Sequence, residues 1–408
     1  MMENRPITAI IVGAGHRSFV YSELAKTNPE MLKIVGVADP NPIRRKKAMD
    51  YFGFKEDMCF ENAEELAKKG KLADTVINGT MDEQHLETVV PLLLLEKPFA
   101  PNEEEMRQIV NCAKKNNSKV MICHVLRYTP FYYAIKERIV NGEIGDIINI
   151  QTTEHVSYHH LSTSYIRGKW ANSDKCHTSM LLAKCCHDLD IIMWMMSETK
   201  PKQISSFGGK FQFKPENAPK EAGTICMKDC PLVDTCVYST KRLYIDHPDR
   251  WAFYVWDALE GKKNVTIEDK IALMKSDSPY ARCIYKCDNN VVDHQSVLIN
   301  FESGATGTHN MVGGSAEPRR EIHIIGTKGE IFGNFEESKF TVLKIDPSPD
   351  AHNEECDVEE VDLRVTGDMV GHSAVFSALV CQIYAEMTRN AVKNRSAGKA
   401  RLFASDVF

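Results

Sequence analysis

The sequence predicts an α/β chain of two domains: an N-terminal Rossmann-type, doubly wound parallel sheet and a C-terminal α+β domain on a large, mostly antiparallel open sheet. Three observations predict it. Short apolar strands alternate with helical stretches over the first 127 residues. The β-branched run Ile7–Val12 opens directly onto Gly13-Ala14-Gly15. Beyond residue 290, strands with alternating polarity are separated by glycine turns. At roughly 150 residues per domain, 408 residues suit two domains, placed at 1–127 and 128–408, with an insertion at about 201–262.

Composition narrows the function classes. A net charge of −6 provides no basic field to recruit nucleic acid. The apolar run 89–95 is far short of the roughly 20 residues that cross a bilayer. The opening MMENRPITAI has no charged segment followed by a long apolar one, so a cytoplasmic protein is expected. Thirteen cysteines, mostly scattered singly, suit reduced thiols better than a disulfide framework.

In chain order, Gly13 permits a tight turn and Gly15 lets the backbone approach a pyrophosphate. Ser18 takes the third glycine position of that fingerprint. The strand 33–38 ends in Asp39, about twenty residues past the loop, where a carboxylate can accept the ribose hydroxyls of NAD. Asp39 would repel a 2′-phosphate, which favours NAD over NADP; Arg44 and Arg45 either hold such a phosphate or face water. A strand at 75–78 follows, then a helix from about Glu83. The leucine run 92–95 suits a strand buried on both faces, and it ends in Glu96-Lys97-Pro98. Open α/β sheets bind ligands at such strand ends. A helix at 102–115 and a strand at 119–125 close this half.

The EKPFA segment after a buried strand, with Thr80, His85, GAGHRS at 13–18 and Asp39 before it, resembles the Gfo/Idh/MocA family of NAD(P)-dependent oxidoreductases. That family includes glucose–fructose oxidoreductase and inositol dehydrogenase. The resemblance implies that Lys97 is catalytic, beside the nicotinamide and the substrate hydroxyl, with its bond to proline often cis. It makes Glu96 a nicotinamide-side contact and adds His16, Arg17, Thr80 and His85 to the cofactor set. The run from His85 to Lys97 is about half a dozen residues shorter than the family's crossover, with Pro91 abutting Leu92. The family also carries an arginine or asparagine plus an aromatic after the last strand, matched by Arg127 and Tyr128; packing is an equal expectation for Tyr128.

In the second half, a helix at 131–141 and a strand at 147–153 precede a segment, 154–170, without amphipathic period. It is read as a substrate-binding loop for polyhydroxylated ligands, carrying His155, His159, Arg167 and Trp170. The apolar helix 180–196 bears Lys184, His187 and Asp188 at three- and four-residue steps, hence on one face. By resemblance His187 is the general base, with Lys184 and Asp190 in support. Ala183 stands where inositol enzymes have an aspartate, so their two-residue relay is not carried over. Cys226, Cys230 and Cys236 suit a structural zinc with a fourth ligand from elsewhere, or free thiols. Asp293, His294 and Gln295 are placed near substrate, Thr327-Lys328-Gly329 in a hairpin turn, 353–362 in an acidic loop and 374–392 in a helix.

These readings imply hydride transfer between a secondary hydroxyl of a sugar, inositol or glycoside and the nicotinamide. An enzyme that recycles its NAD during elimination or epimerisation, and a sensor without catalysis, are the alternatives. The resemblance also implies a homo-oligomer.

Overall fold

The computed structural model describes residues 5–88, 94–95, 97–115, 120–122, 124–247, 250–348 and 356–364. They form two compact units, one holding the chain up to Val140 and the other Asn141–Leu363. Among the described residues, no helix is long and apolar enough to cross a membrane.

The first unit is built on a six-stranded parallel sheet of order β3-β2-β1-β4-β5-β6. Its strands are β1 (Ile7–Val12), β2 (Leu32–Ala38), β3 (Cys59–Phe60), β4 (Thr75–Asn78), β5 (Leu94–Leu95) and β6 (Met121–Ile122). The leucine strand lies inside the sheet, with Leu95 opposite Asn78 on one side and Ile122 on the other. Helices α1 (His16–Ser22), α2 (Pro42–Phe52), α3 (Glu103–Lys115) and α4 (Pro130–Val140) follow or flank these strands. Residues 89–93 and Glu96, and with them most of the short crossover, lie outside the described residues. The last strand is shorter than expected: the chain turns into a 3₁₀ segment at Val125–Tyr128, where the Thr129 hydroxyl donates to Leu126 O at 2.7 Å.

Two glycines set the spacing at the first turn. Gly13 has φ of +77°, and a Cβ there would lie 2.9 Å from the Thr80 amide nitrogen. A Cβ on Gly79 would lie 2.2 Å from Ser18 Oγ, which donates to Gly13 O at 2.6 Å. The residue in the fingerprint's third position is therefore accommodated because Gly79, facing it, has no side chain.

The second unit carries an eight-stranded sheet of order β14-β13-β12-β11-β7-β10-β9-β8. Its central strand β7 (Ile147–Ser157) pairs parallel with β10 (Thr306–Ser315) and antiparallel with β11 (Arg319–Gly326). The others are β8 (Pro201–Gly209), β9 (His294–Phe301), β12 (Gly329–Asn334), β13 (Lys339–Ile345) and β14 (Cys356–Asp362), all paired antiparallel. Thr327 and Lys328 connect β11 to β12 as the expected tight turn. The sheet is one-sided. Ile150, Val156, Ile299, Met311 and Ile324 are buried on one face, where α5 (Met180–Met195) packs on β7 and β10, while Phe207, Leu298, Val312 and Phe332 on the other face stay exposed.

Three expectations are corrected here. The first nine residues of the insertion form edge strand β8, and the acidic loop contains edge strand β14, whose charges guard the edge against further pairing. The polar, aromatic segment 158–166 is helical and largely buried rather than an open loop. Its hydroxyls turn inward: Ser162 donates to Tyr158 O at 2.5 Å and Thr163 to His159 O at 2.9 Å, which lets a polar sequence enter a core. The expected helix at 374–392 lies outside the described residues.

Gly79→Ala is expected to destabilise the protein by about 1–3 kcal/mol through overpacking, seen as a lower thermal midpoint. Adding Ser18→Ala removes the clashing oxygen and should recover part of the loss. Melting of Gly79→Ala like the parent protein would contradict the contact.

Candidate active site

At the C-terminal edge of the first sheet, the Asp39 carboxylate is buried and fixes the glycine turn. One oxygen accepts from Ala14 N at 2.7 Å and the other from Asn41 N at 2.8 Å. An ionised carboxylate has about four acceptor sites, so two remain for ribose hydroxyls. Arg45 donates to the carbonyls of Asp39 and Pro40, at 2.7 and 3.2 Å, and so braces the same corner. No heavy atom lies within 4 Å of a Cβ built on Gly15, which leaves the loop open where a pyrophosphate would approach. These residues fit a dinucleotide: an open glycine turn, an acid with spare acceptors, and His16 exposed and Arg17 half-buried on the first turn of α1.

The turn after β4 is knitted by side chains. Thr80 N and Oγ1 both donate to Asn78 Oδ1, at 3.0 and 2.8 Å, and Asn78 Nδ2 donates to Thr88 Oγ1 at 2.7 Å. His85 is fully buried, with Nδ1 3.0 Å from Pro98 O. A carbonyl only accepts, so Nδ1 carries the proton of this bond. The imidazole thereby anchors the segment that follows β5, where the Lys97–Pro98 bond is cis and Lys97 is half-buried. His85 thus holds the Lys97 turn, a contact that sequence reading did not anticipate. Glu96 lies outside the described residues. Arg127 is buried, and Tyr128 packs in the core of this unit with Ile11, Ile34 and Val37.

In the second unit, helix α5 starts at Ser179, whose side chain accepts from Leu182 N at 3.2 Å. Two of the three residues expected on one face engage the sheet below. Lys184 Nζ lies 3.1 Å from Glu154 Oε1, and Asp188 Oδ1 accepts from Arg320 Nε at 2.9 Å. Arg320 also pairs with the second Glu154 oxygen, which closes a buried chain of four charges. Burial would raise Glu154, but Arg320 and Lys184 hold its carboxyl below the ordinary range. Burial pushes Asp188 up against the pull of Arg320, and burial lowers Lys184 despite Glu154. His309, lowered by burial, bonds to Thr152 Oγ1 at 2.9 Å beside the network. This network fixes the rotation of α5, and with it the half-buried His187 and Asp190 that the helix carries.

Glu154, Arg320 and His309 were missed in the sequence. The signal was present: Glu154 stands at the same strand parity as Ile150, Thr152 and Val156, so its carboxylate had to be buried and paired. The other expected substrate residues separate. His155 lies on the opposite strand face from Glu154. His159 is half-buried, and burial together with Arg250 lowers its pKa, which keeps it neutral at neutral pH. Trp170 sits under Lys169, 4.6 Å from Nζ to the ring centre. Asp293 accepts from the amides of Phe211, Gln212 and Phe213, at 2.7–3.3 Å, and from the ring of His294 at 3.0 Å; it anchors the chain that leaves β8. Arg167 is buried, and its described partners are the carbonyls of Arg282 and Tyr238 rather than an open surface. Cys226, Cys230 and Cys236 line one small cavity beside it.

A family model for "Oxidoreductase family, NAD-binding Rossmann fold" matches residues 7–124, and one for "Oxidoreductase family, C-terminal alpha/beta domain" matches 136–390. YteT of Bacillus subtilis (strain 168) is 22% identical over 315 residues, 74% of this chain and 70% of that protein. Trans-1,2-dihydrobenzene-1,2-diol dehydrogenase of Sus scrofa is 26% identical over 211 residues, 50% of this chain and 59% of that one. Levoglucosan dehydrogenase in complex with NADH superposes with a TM-score of 0.64 at 15% identity, covering 93% of this chain and 90% of that one. The super-repressor mutant of Gal80p from Saccharomyces cerevisiae gives 0.63 at 14%, covering 97% and 87%. At such identities the structural likeness shows the fold alone.

Asp39→Ala removes a charge-assisted acceptor of about 1.5–3 kcal/mol, so NAD should bind about tenfold to a hundredfold more weakly. Titration by protein fluorescence checks it, and unchanged affinity would remove Asp39 from the cofactor site.

Proposed function

The chain belongs to the Gfo/Idh/MocA oxidoreductase family, and on that premise we propose that it transfers a hydride between a secondary hydroxyl of a sugar, inositol or glycoside and NAD. The observation that carries the reading is the strand order of the first unit. It sets the glycine turn after β1, the Asp39 corner after β2 and Lys97 after β5 along one edge of a single sheet. Bound there, the dinucleotide supplies the site where hydride is accepted or returned.

Hydroxyl oxidation needs an acceptor for the O–H proton and a cation near the oxygen that gains charge. Lys97 provides the cation. His187 provides the base, on a helix whose rotation is locked by the Lys184–Glu154 and Asp188–Arg320 pairs. His85 acts on Lys97 through the Pro98 carbonyl and is a positioning residue. The family, and the diol and levoglucosan dehydrogenases that this chain is similar to, support a polyhydroxylated substrate. The apolar side chains exposed on the open face of the second sheet support a homo-oligomer that covers them. The buried carboxyl group of Asp39 at the end of β2, where a 2′-phosphate would have to lie, supports NAD over NADP.

One rival has an observation in its favour. Ala183 stands where the inositol enzymes' relay has an aspartate, and the fold is shared with Gal80p, whose compared structure is that of a super-repressor mutant. That combination suits a chain that binds the nucleotide and a sugar without turnover.

Lys97→Met and His187→Ala are each expected to lower kcat by about a hundredfold or more, with NAD affinity held within roughly threefold. Steady-state rates and NAD titration separate the two effects. Near-parental turnover in either variant removes that residue from the reaction.

A further inference from the structure

The cavity that Cys226, Cys230 and Cys236 line has a fourth cysteine in its wall, Cys283. It measures about 20 Å³, which is room for a single water-sized particle. The backbone brings these four together from two distant segments. Ile225 forms an antiparallel bridge with Arg282, and Cys283 N donates to Thr224 O at 2.8 Å, so Cys226 and Cys283 each adjoin the bridge. Asp229 accepts from Thr224 N and Ile225 N at 2.9 and 2.7 Å, closing the turn that sets Cys230 behind Cys226. Cys236 N donates to Leu232 O at 2.9 Å and returns the third thiol to the same wall. None of the four is in a disulfide.

A second observation points to what fills the space. Arg167, 3% exposed, lines the same cavity. Its Nε and Nη2 donate to the carbonyls of Arg282 and Tyr238, both at 2.8 Å, and Nη2 lies 3.9 Å from Cys226 Sγ. Its Nη1 has no hydrogen-bond partner, and no carboxylate among the described residues pairs with it. A guanidinium does not shed its proton, so a full positive charge stands buried beside the Cys226 thiol and 6.0 Å from the centre of the Tyr244 ring, in the wall that the other three cysteines share. Such a charge calls for an anion.

We propose that Cys226, Cys230, Cys236 and Cys283 bind one Zn²⁺ as thiolates, with Arg167 as the counter-charge. One Zn²⁺ enters and four thiol protons leave, so the tetrathiolate carries two negative charges, one of which Arg167 offsets. With four protein ligands the ion is closed to substrate and structural; it clips the loop at 226–236 to the segment before β9. The inference is independent of the hydride-transfer reading. The quartet as described is open, because the three ligand atoms found within 4.8 Å of one another belong to Cys185, Asp188 and His309. Sulfurs of a tetrahedral site with Zn–S near 2.3 Å stand about 3.8 Å apart, and a χ1 rotation carries a sulfur by roughly 3 Å. The Cys185 group is the poorer site for a cation, since Arg320 already occupies Asp188.

The full chain, expressed with zinc in the medium and purified without chelator, is tested by elemental analysis and X-ray absorption at the zinc edge. The expected result is about one zinc per chain in an all-sulfur shell. Cys236→Ser and Cys283→Ser should each cut occupancy at least tenfold, while Cys287→Ser and Cys185→Ala retain it. Arg167→Met should lose zinc to a competing chelator about tenfold more readily, an effect that a purely packing arginine would not produce. Less than about a tenth of an ion per chain, full retention in Cys283→Ser, a disulfide among the four, or iron with sulfide would each overturn the proposal. The parent protein's zinc content and spectrum decide the matter even where a variant fails to fold.

Discussion

The first unit depends on how closely the backbone after β1 approaches the backbone after β4. Gly13 turns with a positive φ beneath Thr80, and Gly79 meets Ser18 with no room for a Cβ. On the other side of β1, Ala14 N donates to the Asp39 carboxylate, so the β1 turn and the Asp39 corner present one continuous edge. The same economy extends along the sheet, where buried His85 on the helix after β4 holds the Lys97 segment through the Pro98 carbonyl. A dinucleotide site of this kind is made by backbone proximity first and by side-chain chemistry second.

The second unit meets the opposite problem, how to keep charges inside. Glu154, Arg320, Lys184 and Asp188 are arranged so that every carboxylate touches a cation and every cation a carboxylate. Alone, any one of them would be costly to bury; together they dock a largely apolar helix in one rotational setting. Among the described residues of that unit Arg167 is the exception, a buried cation whose neighbours are two carbonyls, the Cys226 thiol and the Tyr244 ring, with no acid paired to it. That contrast is what singles out the cysteine cavity.

Much of this was legible in the chain. Parity and period identified β1, β4, α4 and α5 almost to the residue, because each is long or strongly patterned. The family followed from GAGHRS, Asp39 and EKPFA, which are local in sequence. What escaped was long-range. Cys283 belongs with Cys226 only because a β-bridge joins segments that look unrelated, and Arg320 completes Glu154 across a strand pair. The polar composition of residues 154–170 suggests an open loop, whereas 154–157 end β7 and 158–166 are helical. Internal hydroxyl-to-carbonyl bonds and stacked rings, such as His160 on Trp251 at 3.7 Å, satisfied that polarity inside the core. Edge strands β8 and β14 were missed for the complementary reason: exposed on both faces, they lack the alternation that reveals a half-buried strand.

Hydride transfer, internal recycling of NAD and ligand sensing all use the same fold and differ in the fate of the electrons. The absorbance of reduced nicotinamide, followed while the chain and excess NAD meet a panel of sugars, inositols and glycosides, distinguishes them directly. The account predicts sustained growth of that band with at least one secondary alcohol. A band that rises and returns with substrate converted, or that never appears while NAD is bound, would contradict it.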